Sequence, residues 1–222
     1  MRELGPVRKL KETPHQRPNR RERRKLETRQ ALLDAARSLL VSRSMDALSV
    51  DEIAMRADVA KGTFYNYFPD KDALERELAS HVRARVESEI QRANEGVDDP
   101  AARIARAFCC VLRFFLNAPG EATAMMRLFP RATDPAAPMN SGVRSDVVAG
   151  LARGRIVAPS EDVAIACILG VFTAGANRAS DLSPPRARTF ARELGTILLH
   201  GLGLAQAQAA RIMRQAVESI LS

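Results

Sequence analysis

The chain has 222 residues, of which 46% are hydrophobic and 27% charged, and its formal net charge is +8. This composition is typical of a globular protein with one large domain or two small ones, and it excludes a fibrous repeat and a chain that is disordered throughout. The longest apolar run without a charge, residues 163–177, is shorter than the roughly 18–20 residues that a membrane-spanning helix needs. The basic N-terminus also lacks the apolar core of a secretory signal. We therefore expect a cytoplasmic protein without a membrane partner.

The positive charge is concentrated at the N-terminus. Residues 1–25 contain ten Lys or Arg and three Asp or Glu, which leaves a net charge of only +1 for the rest of the chain. Three prolines and few apolar residues predict that 1–25 is a disordered basic arm. Such an arm is either a solvated leader or a segment attracted to DNA phosphates.

Cysteine and histidine spacing gives no sign of a metal or cofactor site. Cys109, Cys110 and Cys167 form no CxxC pair, and the three histidines are far apart. The adjacent Cys109 and Cys110 lie in an apolar stretch and are predicted to be buried thiols, with a redox role left open. No phosphate-binding loop, nucleophile elbow or paired catalytic carboxylates occur. We expect no cofactor, no metal and no catalytic residues.

Helical periodicity begins with a pattern from Arg24 to Val41. Ser49 and Glu52 have the spacing of a capping box, which predicts that a short helix begins at Val50. A second apolar pattern, out of phase with the first, starts at Val59 and predicts another short helix. Two short helices joined by a tight turn form a helix-turn-helix, here over about 49–68.

The remainder of the chain is also predicted to be helical. Pro69 ends the second short helix, and Asp70 can cap a long helix that closes near Gly96. Further helices are expected at about 100–117, 120–129, 139–153, 160–179, 185–202 and 205–221. The predicted fold is all-α, with about nine or ten helices and no strand.

The second short helix carries the side chains with the clearest chemical meaning. Phe64 and Phe68 are predicted to point inward because they lie four residues apart. The outward side and its margins hold a cation, a glycine, a carboxamide and several hydroxyls, namely Lys61, Gly62, Thr63, Tyr65, Asn66 and Tyr67. These groups suit phosphate oxygens and base edges in a major groove. The alternative is a solvated face at the edge of an aromatic core.

Four stretches in this region resemble the DNA-binding domain of the TetR family of bacterial transcriptional regulators. They are residues 31–36, 48–54, 59–67 and 68–74, and the resemblance covers 26–86. It implies that DNA is contacted by Ser49, Lys61, Gly62, Thr63, Tyr65, Asn66, Tyr67 and Lys71. Ala60 stands where the family often has a serine that caps the recognition helix, so the side-chain cap is expected to be absent and the resemblance does not imply the phosphate contact of that serine.

The net charge of the predicted DNA-binding region is low. Residues 26–71 contain six Lys or Arg and seven Asp or Glu, a formal charge of −1. We expect the basic arm to supply much of the salt-dependent affinity for DNA.

Residues 87–222 would then form a helical domain for effector binding and dimerisation. The apolar helices at about 160–179 and 185–202 are expected to pair with their mates in a homodimer, although burial within one chain is the alternative. A concentration of Phe and Met at 108–129, between the DNA-binding region and these two helices, is either core or the wall of a cavity for a small apolar or aromatic ligand. The candidate ligand-binding residues are Phe108, Leu112, Arg113, Phe115, Met125, Phe129, Phe172 and Asn177.

The resemblance implies a dimeric repressor that binds a palindromic operator in double-stranded DNA and is released by a small molecule. An effector-independent DNA-binding protein is one alternative, and a helical enzyme is another. The operator, the effector and the regulated genes cannot be read from the sequence.

Overall fold

The computed structural model describes residues 19–118, 121–122, 140–179 and 181–222. Within these residues it contains nine α-helices, one 3-10 turn and no strand, as the sequence predicts. The elements are α1 (Arg20–Leu39), the 3-10 turn (Met45–Ala47), α2 (Val50–Arg56), α3 (Lys61–Tyr65), α4 (Lys71–Ala93), α5 (Pro100–Asn117), α6 (Ser141–Ala152), α7 (Glu161–Ala179), α8 (Pro184–Gly201) and α9 (Gln206–Ile220). Most of the helix predicted at 120–129 lies outside the described residues, although Glu121 and Ala122 are helical.

The first helix begins earlier than predicted. The Asn19 side-chain oxygen accepts hydrogen bonds from the backbone N–H groups of Arg21 (2.9 Å) and Glu22 (3.0 Å), and the Glu22 carboxylate accepts from the Asn19 N–H (2.9 Å). This reciprocal capping box satisfies N–H groups that the helix itself leaves unpaired. Residues 20–25 are therefore helical, which corrects their assignment to a disordered arm; residues 1–18 lie outside the described part.

Helices α1 to α4 enclose an N-terminal core. Phe64 and Phe68 point inward and are fully buried, as the spacing predicts. Their principal neighbours in this core are Leu32, Leu33, Leu40, Ile53, Leu74 and Leu78. Asp58 adopts a left-handed conformation with φ of 56°, which makes the tight turn between α2 and α3.

Lys71 occupies a different position from the one predicted. Its ammonium group donates hydrogen bonds to the backbone carbonyls of Met45 and Leu48, both at 3.0 Å. The side chain thus holds the 3-10 turn, which leads into α2, against the start of α4. Lys71 is half-buried and braces the fold internally instead of presenting its charge to a duplex.

The C-terminal helices form a second core around α5. Helices α4, α6, α7, α8 and α9 all pack on α5, and the core includes Phe108, Leu112, Val147, Ile165, Ile168, Leu199 and Met213. Cys109 and Cys110 are buried as predicted, and burial raises the pKa of Cys109 to about 12. Cys167 is exposed.

Helix α7 is buried on one face only within a single chain. Ile165, Ile168 and Phe172 point into the core, whereas Val163 on the other side is 51% exposed. One side of α7 is therefore left uncovered within a single chain, so the alternative of complete burial within one chain does not hold for this helix. By length and composition α7 could cross a membrane, with a mean hydropathy of 1.2, but 44% of that window is buried inside the fold. Core helices of globular proteins meet the same criterion.

The two groups of helices are joined through α4 and through an ion-pair cluster. Helix α4 starts in the N-terminal core at Leu74 and continues into the C-terminal region, where Val86 is buried. The Glu121 carboxylate accepts from Arg85 of α4 at 2.7 Å and lies 3.5 Å from Arg37 of α1. Glu121 thus connects both ends of the molecule.

Replacing Lys71 with methionine tests its role as a brace. We expect Lys71→Met to lower the free energy of unfolding by about 1–3 kcal/mol, because two backbone carbonyls lose their donor. Urea denaturation followed by circular dichroism measures the change. Lys25→Met, at an exposed site on α1, is the control and should stay within about 0.5 kcal/mol of the parent. Equal unfolding midpoints for the two variants would contradict the brace.

The contact between α7 and α5 depends on a glycine. A Cβ atom at Gly175 would lie 2.7 Å from the Phe108 ring. We expect Gly175→Ala to destabilise the protein by about 1–3 kcal/mol, because an aromatic ring in a packed core cannot move aside freely. Gly142→Ala is the control, since its Cβ would meet nothing within 4 Å, and it should be neutral or stabilising. Thermal unfolding by calorimetry compares them; an unchanged melting temperature for Gly175→Ala would refute the close contact.

Candidate nucleic-acid interface

Helix α3 rests on the two phenylalanines beneath it. The Phe64 and Phe68 ring centroids are 5.7 Å apart, and the Tyr65 ring meets Phe64 edge to face at 5.4 Å. Because Phe64 is fully buried, the opposite side of α3 faces solvent, and Tyr65 is 49% exposed. The aromatic contact limits the directions in which the Tyr65 hydroxyl can point.

The predicted DNA-contact residues of α3 and its end differ in their solvent exposure. Lys61, Gly62, Tyr65 and Asn66 are exposed, and a Cβ atom at Gly62 would meet nothing within 4 Å. Thr63 and Tyr67 are half-buried, and the Tyr67 ring packs against the N-terminal core. The exposed set therefore comprises one cation, one phenol, one carboxamide and a position open to close backbone approach.

Lys61 forms an ion pair with the start of α2. Its ammonium group donates to the Asp51 carboxylate at 2.8 Å, and this hydrogen bond raises the pKa of Lys61. Both side chains are exposed. Exposed pairs of this kind contribute little free energy, so a phosphate group can compete for the Lys61 ammonium.

Ser49 is occupied by its own capping box. Its hydroxyl donates to the Glu52 carboxylate at 2.8 Å, and its backbone N–H donates to the same carboxylate at 2.9 Å. Arg43 donates to the other Glu52 oxygen at 2.6 Å. This guanidinium and the Ser49 groups lower the pKa of Glu52 to about 2. The hydroxyl and N–H of Ser49, expected to face phosphate, are already engaged by a carboxylate.

Ala60 has the consequence predicted from the sequence. It is the residue that precedes α3, and no side-chain hydrogen bond caps that helix.

Most cations of 26–71, four of six, are paired with carboxylates inside the molecule. Four of them pair with carboxylates: Arg29 with Glu77, Arg37 with Asp34, Arg43 with Glu52 and Lys61 with Asp51. Lys71 is satisfied by carbonyl groups. Arg56 donates to the Ser38 hydroxyl at 3.1 Å and forms no ion pair within the described residues. The local excess of positive charge lies at the start of α1, on Arg20, Arg21, Arg23, Arg24 and Lys25.

Arg29 is a positioning residue that the sequence analysis missed. Its guanidinium donates to Glu77 Oε1 of α4 at 2.7 Å and to the Tyr67 carbonyl at 3.1 Å, and it lies 4.5 Å from the centre of the Phe68 ring. These contacts raise the pKa of Arg29 and lower that of Glu77. Arg29 thereby joins α1 and α4 to the segment that follows α3.

A cavity of about 230 Å³ lies in the C-terminal region between α4, α5, α6 and α7. Phe115 and Phe172, two of the predicted ligand-binding residues, line it. Phe108 and Leu112 do not line it and are fully buried core residues, because the inner face of α5 points at α7 and α9 rather than at the cavity.

The other predicted ligand-binding residues lie elsewhere. Arg113 points away from the cavity and donates to Glu89 at 3.1 Å and to the Ile220 carbonyl. Asn177 is exposed on α7 and is not part of the cavity wall. Met125 and Phe129 lie outside the described residues.

Three polar residues of the cavity wall were not predicted. Arg103 Nε donates to Asp146 Oδ1 at 2.5 Å, and Arg103 Nη1 donates to the backbone carbonyl of Asn94 at 3.3 Å. Burial raises the pKa of Asp146, although the Arg103 hydrogen bond opposes this effect. Asp146 lies 43 residues after Arg103, so no local pattern indicates that the two meet.

Comparison with known proteins places these features in a family. The family model described as bacterial regulatory proteins, tetR family, matches residues 32–78, which include all of α2 and α3. The HTH-type transcriptional regulator EthR of Mycolicibacterium smegmatis is 33% identical over 98 residues, 44% of this chain and 43% of that protein. The transposon Tn10 TetC protein of Escherichia coli is 45% identical over 47 residues, 21% of this chain and 24% of that protein. The chain thus aligns with less than half the length of these two relatives.

Solved structures extend the similarity to most of the chain. RolR in complex with resorcinol is 26% identical, with a TM-score of 0.60, covering 86% of this chain and 95% of that chain. A gamma-butyrolactone receptor, described as ArpA-like, is 16% identical with a TM-score of 0.63, covering 87% and 98%; at that identity the likeness concerns the fold alone. The matched helix-turn-helix, the related regulators and the shared all-helical fold lead to one conclusion. Residues 32–78 therefore belong to the DNA-binding domain of the TetR family, and the described chain shares its all-helical fold with the solved structures named here.

Proposed function

We propose that the chain is a transcriptional repressor that binds a palindromic operator as a homodimer and is released by a small molecule. The observation that carries the proposal is the pair of short helices α2 and α3, held on a buried aromatic core with Lys61, Gly62, Tyr65 and Asn66 exposed on one side. A helix presented in this way fits the major groove of B-DNA.

The individual contacts follow from the chemistry of the exposed side chains. Lys61 and the Tyr65 hydroxyl suit phosphate oxygens, whereas the Asn66 carboxamide can pair with a base edge. Gly62 lets the helix backbone approach the duplex. Thr63, Tyr67 and Ser49 remain in the proposed interface at its margin, with Ser49 dependent on release from Glu52. Lys71 supports the interface from inside.

The basic segment before and at the start of α1 is proposed to attract the protein to DNA over long range. The cations of 26–71 are mostly paired internally, while five bases lie at 20–25. Their charge adds to that of the preceding residues, which the sequence also makes basic. Counterion release from phosphates near this segment would make the DNA affinity depend steeply on salt.

Dimerisation is proposed through the exposed faces of α7 and α8. Along α7 the exposed side carries Val163 with the small residues Ala166, Cys167, Gly170 and Ala174. Along α8, Ile197 is 69% exposed, and Gly201 lies one turn further on. Small and apolar side chains on two adjacent helices allow close packing against the same surface of a second copy.

The cavity provides the proposed effector site, and α4 connects it to the DNA-binding end. RolR was solved with resorcinol, which supports a small aromatic effector here. Val86 and Ile90 of α4 line the cavity, while the start of the same helix holds the 3-10 turn through Lys71. A ligand shifts the equilibrium only if it binds one arrangement of α4 more tightly than the other.

Two alternatives remain distinguishable by experiment. An effector-independent DNA-binding protein would bind a defined site but would not release it with any small molecule. An enzyme would turn over a ligand; the related EthR is described as a transcriptional regulator, which favours the proposal. As a regulator the protein acts in the bacterial cytoplasm, at the nucleoid.

DNA binding is tested with a site located by footprinting upstream of the protein's own gene. We expect Lys61→Ala to weaken binding at every salt concentration and to reduce the slope of log K against log salt by about 1, because one phosphate contact is lost. Fluorescence anisotropy over a salt series measures both quantities. Arg92→Ala, an exposed cation near the end of α4, is the control and should leave the slope unchanged.

Tyr65→Ala in the same assay should weaken binding without changing the salt slope, because a phenol releases no counterion. Wild-type affinity in the double variant Lys61→Ala, Tyr65→Ala would contradict the proposed interface.

The proposed dimer interface is tested by placing a charged residue in it. We expect Ile197→Glu to produce a monomer of about 24.3 kDa, because two buried carboxylates would face each other across the interface. Sedimentation velocity measures the mass. The same variant should expose Cys167, so that its thiol reacts rapidly with an aromatic disulfide reagent, whereas the parent protein reacts slowly.

Val41→Glu is the matched control for Ile197→Glu, since Val41 is exposed in the turn that follows α1, at the N-terminal end of the molecule. It should remain dimeric with a protected Cys167. A monomeric parent protein, or a dimeric Ile197→Glu variant, would exclude this interface.

A further inference from the structure

We propose that Asp51 is a specificity-determining residue, and that its carboxylate accepts a hydrogen bond from the N4 amino group of a cytosine in the major groove. The inference rests on the proposed function, because it assumes that α3 enters that groove. It deepens the proposed function by naming a base-reading side chain on α2, outside the residues predicted to contact DNA.

Asp51 lies on the same surface as the start of α3. Its Oδ2 accepts from the Lys61 ammonium at 2.8 Å, and Lys61 is the first residue of α3. The Asp51 side chain is 63% exposed and that of Lys61 is 54% exposed. Both line a groove where α2 meets α3, together with Met55 and Asp58. A duplex that contacts Lys61 therefore comes within reach of the Asp51 carboxylate.

The two carboxylates at the start of α2 differ in how far they are engaged. Both oxygens of Glu52 accept hydrogen bonds, one from Arg43 at 2.6 Å and the other from the Ser49 hydroxyl at 2.8 Å. Among the described residues, Lys61 alone bonds to the Asp51 side chain, and it does so through Oδ2. Asp51 Oδ1 is thus a carboxylate oxygen that can accept from DNA.

A carboxylate only accepts hydrogen bonds, so it distinguishes bases by the donors at their major-groove edges. In a C·G pair, cytosine N4 donates and has an acceptor, guanine O6, on one side. In an A·T pair, adenine N6 also donates, but the acceptors adenine N7 and thymine O4 flank it on both sides and repel a carboxylate. Guanine and thymine themselves present acceptors. Asp51 therefore favours cytosine over adenine and disfavours guanine and thymine.

Lys61 offsets the repulsion between Asp51 and the DNA phosphates. An ammonium group has three N–H donors, and the ion pair uses one of them. The others can bind the phosphate proposed for Lys61, so that the cation lies between two anions. With this cation in place, the repulsion falls mainly on sites that lack an amino group at the position that Asp51 reads. Repulsion of the wrong partner contributes to specificity as much as attraction of the right one.

A purely structural role for Asp51 would have a different consequence. An acid in the first turn of α2 interacts favourably with the helix dipole, and the pair with Lys61 links α2 to α3. Loss of either effect would change the affinity for all DNA sequences alike. Only contact with a base changes which base is preferred, so preference and affinity must both be measured.

The test measures the base preference at each position of the footprinted operator. In a set of duplexes, one base pair at a time is changed to each of the other three, symmetrically in both half-sites. Fluorescence anisotropy gives the affinity of the full chain for every duplex. We expect one cytosine in each half-site whose replacement by guanine or thymine weakens binding at least about tenfold, whereas adenine weakens it less.

Variants of Asp51 should change the preference at this position and at no other. Asp51→Ala should remove it, so that all four base pairs bind within about twofold of one another. Asp51→Asn keeps the size of the side chain and should shift the preference towards adenine, because a carboxamide pairs with adenine N6 and N7. Circular dichroism of each unbound variant should match that of the parent.

Asp34→Asn is the matched control. Asp34 is exposed on α1 and pairs with Arg37 at 2.8 Å, so its replacement removes one negative charge and one ion pair from the same domain. It should leave the base preference at every position as in the parent. Tyr65→Ala should weaken binding to all duplexes and preserve the preference for cytosine.

A base analogue tests the amino group itself. Pyrimidin-2-one, which is cytosine without its N4 amino group, replaces the preferred cytosine in both half-sites. This replacement should weaken binding by the parent at least about fivefold more than binding by Asp51→Ala, because the variant has already lost the acceptor.

The inference and the proposed function fail in different ways. If both Asp51 variants keep the base preferences of the parent at every position, the inference is wrong and the proposed function stands. A preference for guanine or thymine at the position that responds to Asp51, or an equal effect of the analogue on parent and variant, would also refute the inference alone. Failure of the parent to bind any defined duplex would refute the proposed function, and the inference with it.

Discussion

The burial of Phe64 and Phe68 determines how the rest of the N-terminal domain can act. Helix α3 is only five residues long and is too short to be stable alone, so its position depends on the rings beneath it. Arg29 adds to this by contacting the Phe68 ring, the Tyr67 carbonyl and Glu77 at once. With one side of α3 held inward, its other side is presented outward in a fixed orientation, as groove recognition requires.

Helix α4 connects the N-terminal core to the cavity in the C-terminal region. Its first residue, Lys71, supports the 3-10 turn before α2, and Val86, four turns further on, lies at the cavity. Glu121 forms a second connection, because it contacts Arg85 of α4 and lies near Arg37 of α1. In the proposed mechanism, a shift of α4 at the cavity is transmitted to α2 and α3 through the helix itself and these ion pairs.

Local signals in the sequence were sufficient for most of the helices. The Ser49–Glu52 capping box and the Asp70 cap appear in the structure where they were predicted. Asn19 and Glu22 have the same capping-box spacing and indicate the true start of α1. The basic residues around them favour a prediction of disorder, and for this reason the start of α1 was predicted too late. Helix ends are set by a few neighbouring residues, and this makes them readable from the chain.

Periodicity alone thus established the all-helical fold, the inward side of α3 and the apolar character of α7. Only the tertiary structure decided which apolar residues form the core and which line the cavity. Phe108 packs in the core and Phe115 lines the cavity, although both belong to α5. It also decided the pairing of Arg103 with Asp146, 43 residues apart, and the inward use of Lys71. The physical reason is that spacing identifies the face of a helix that avoids water, whereas the partner covering that face is set by how distant helices pack.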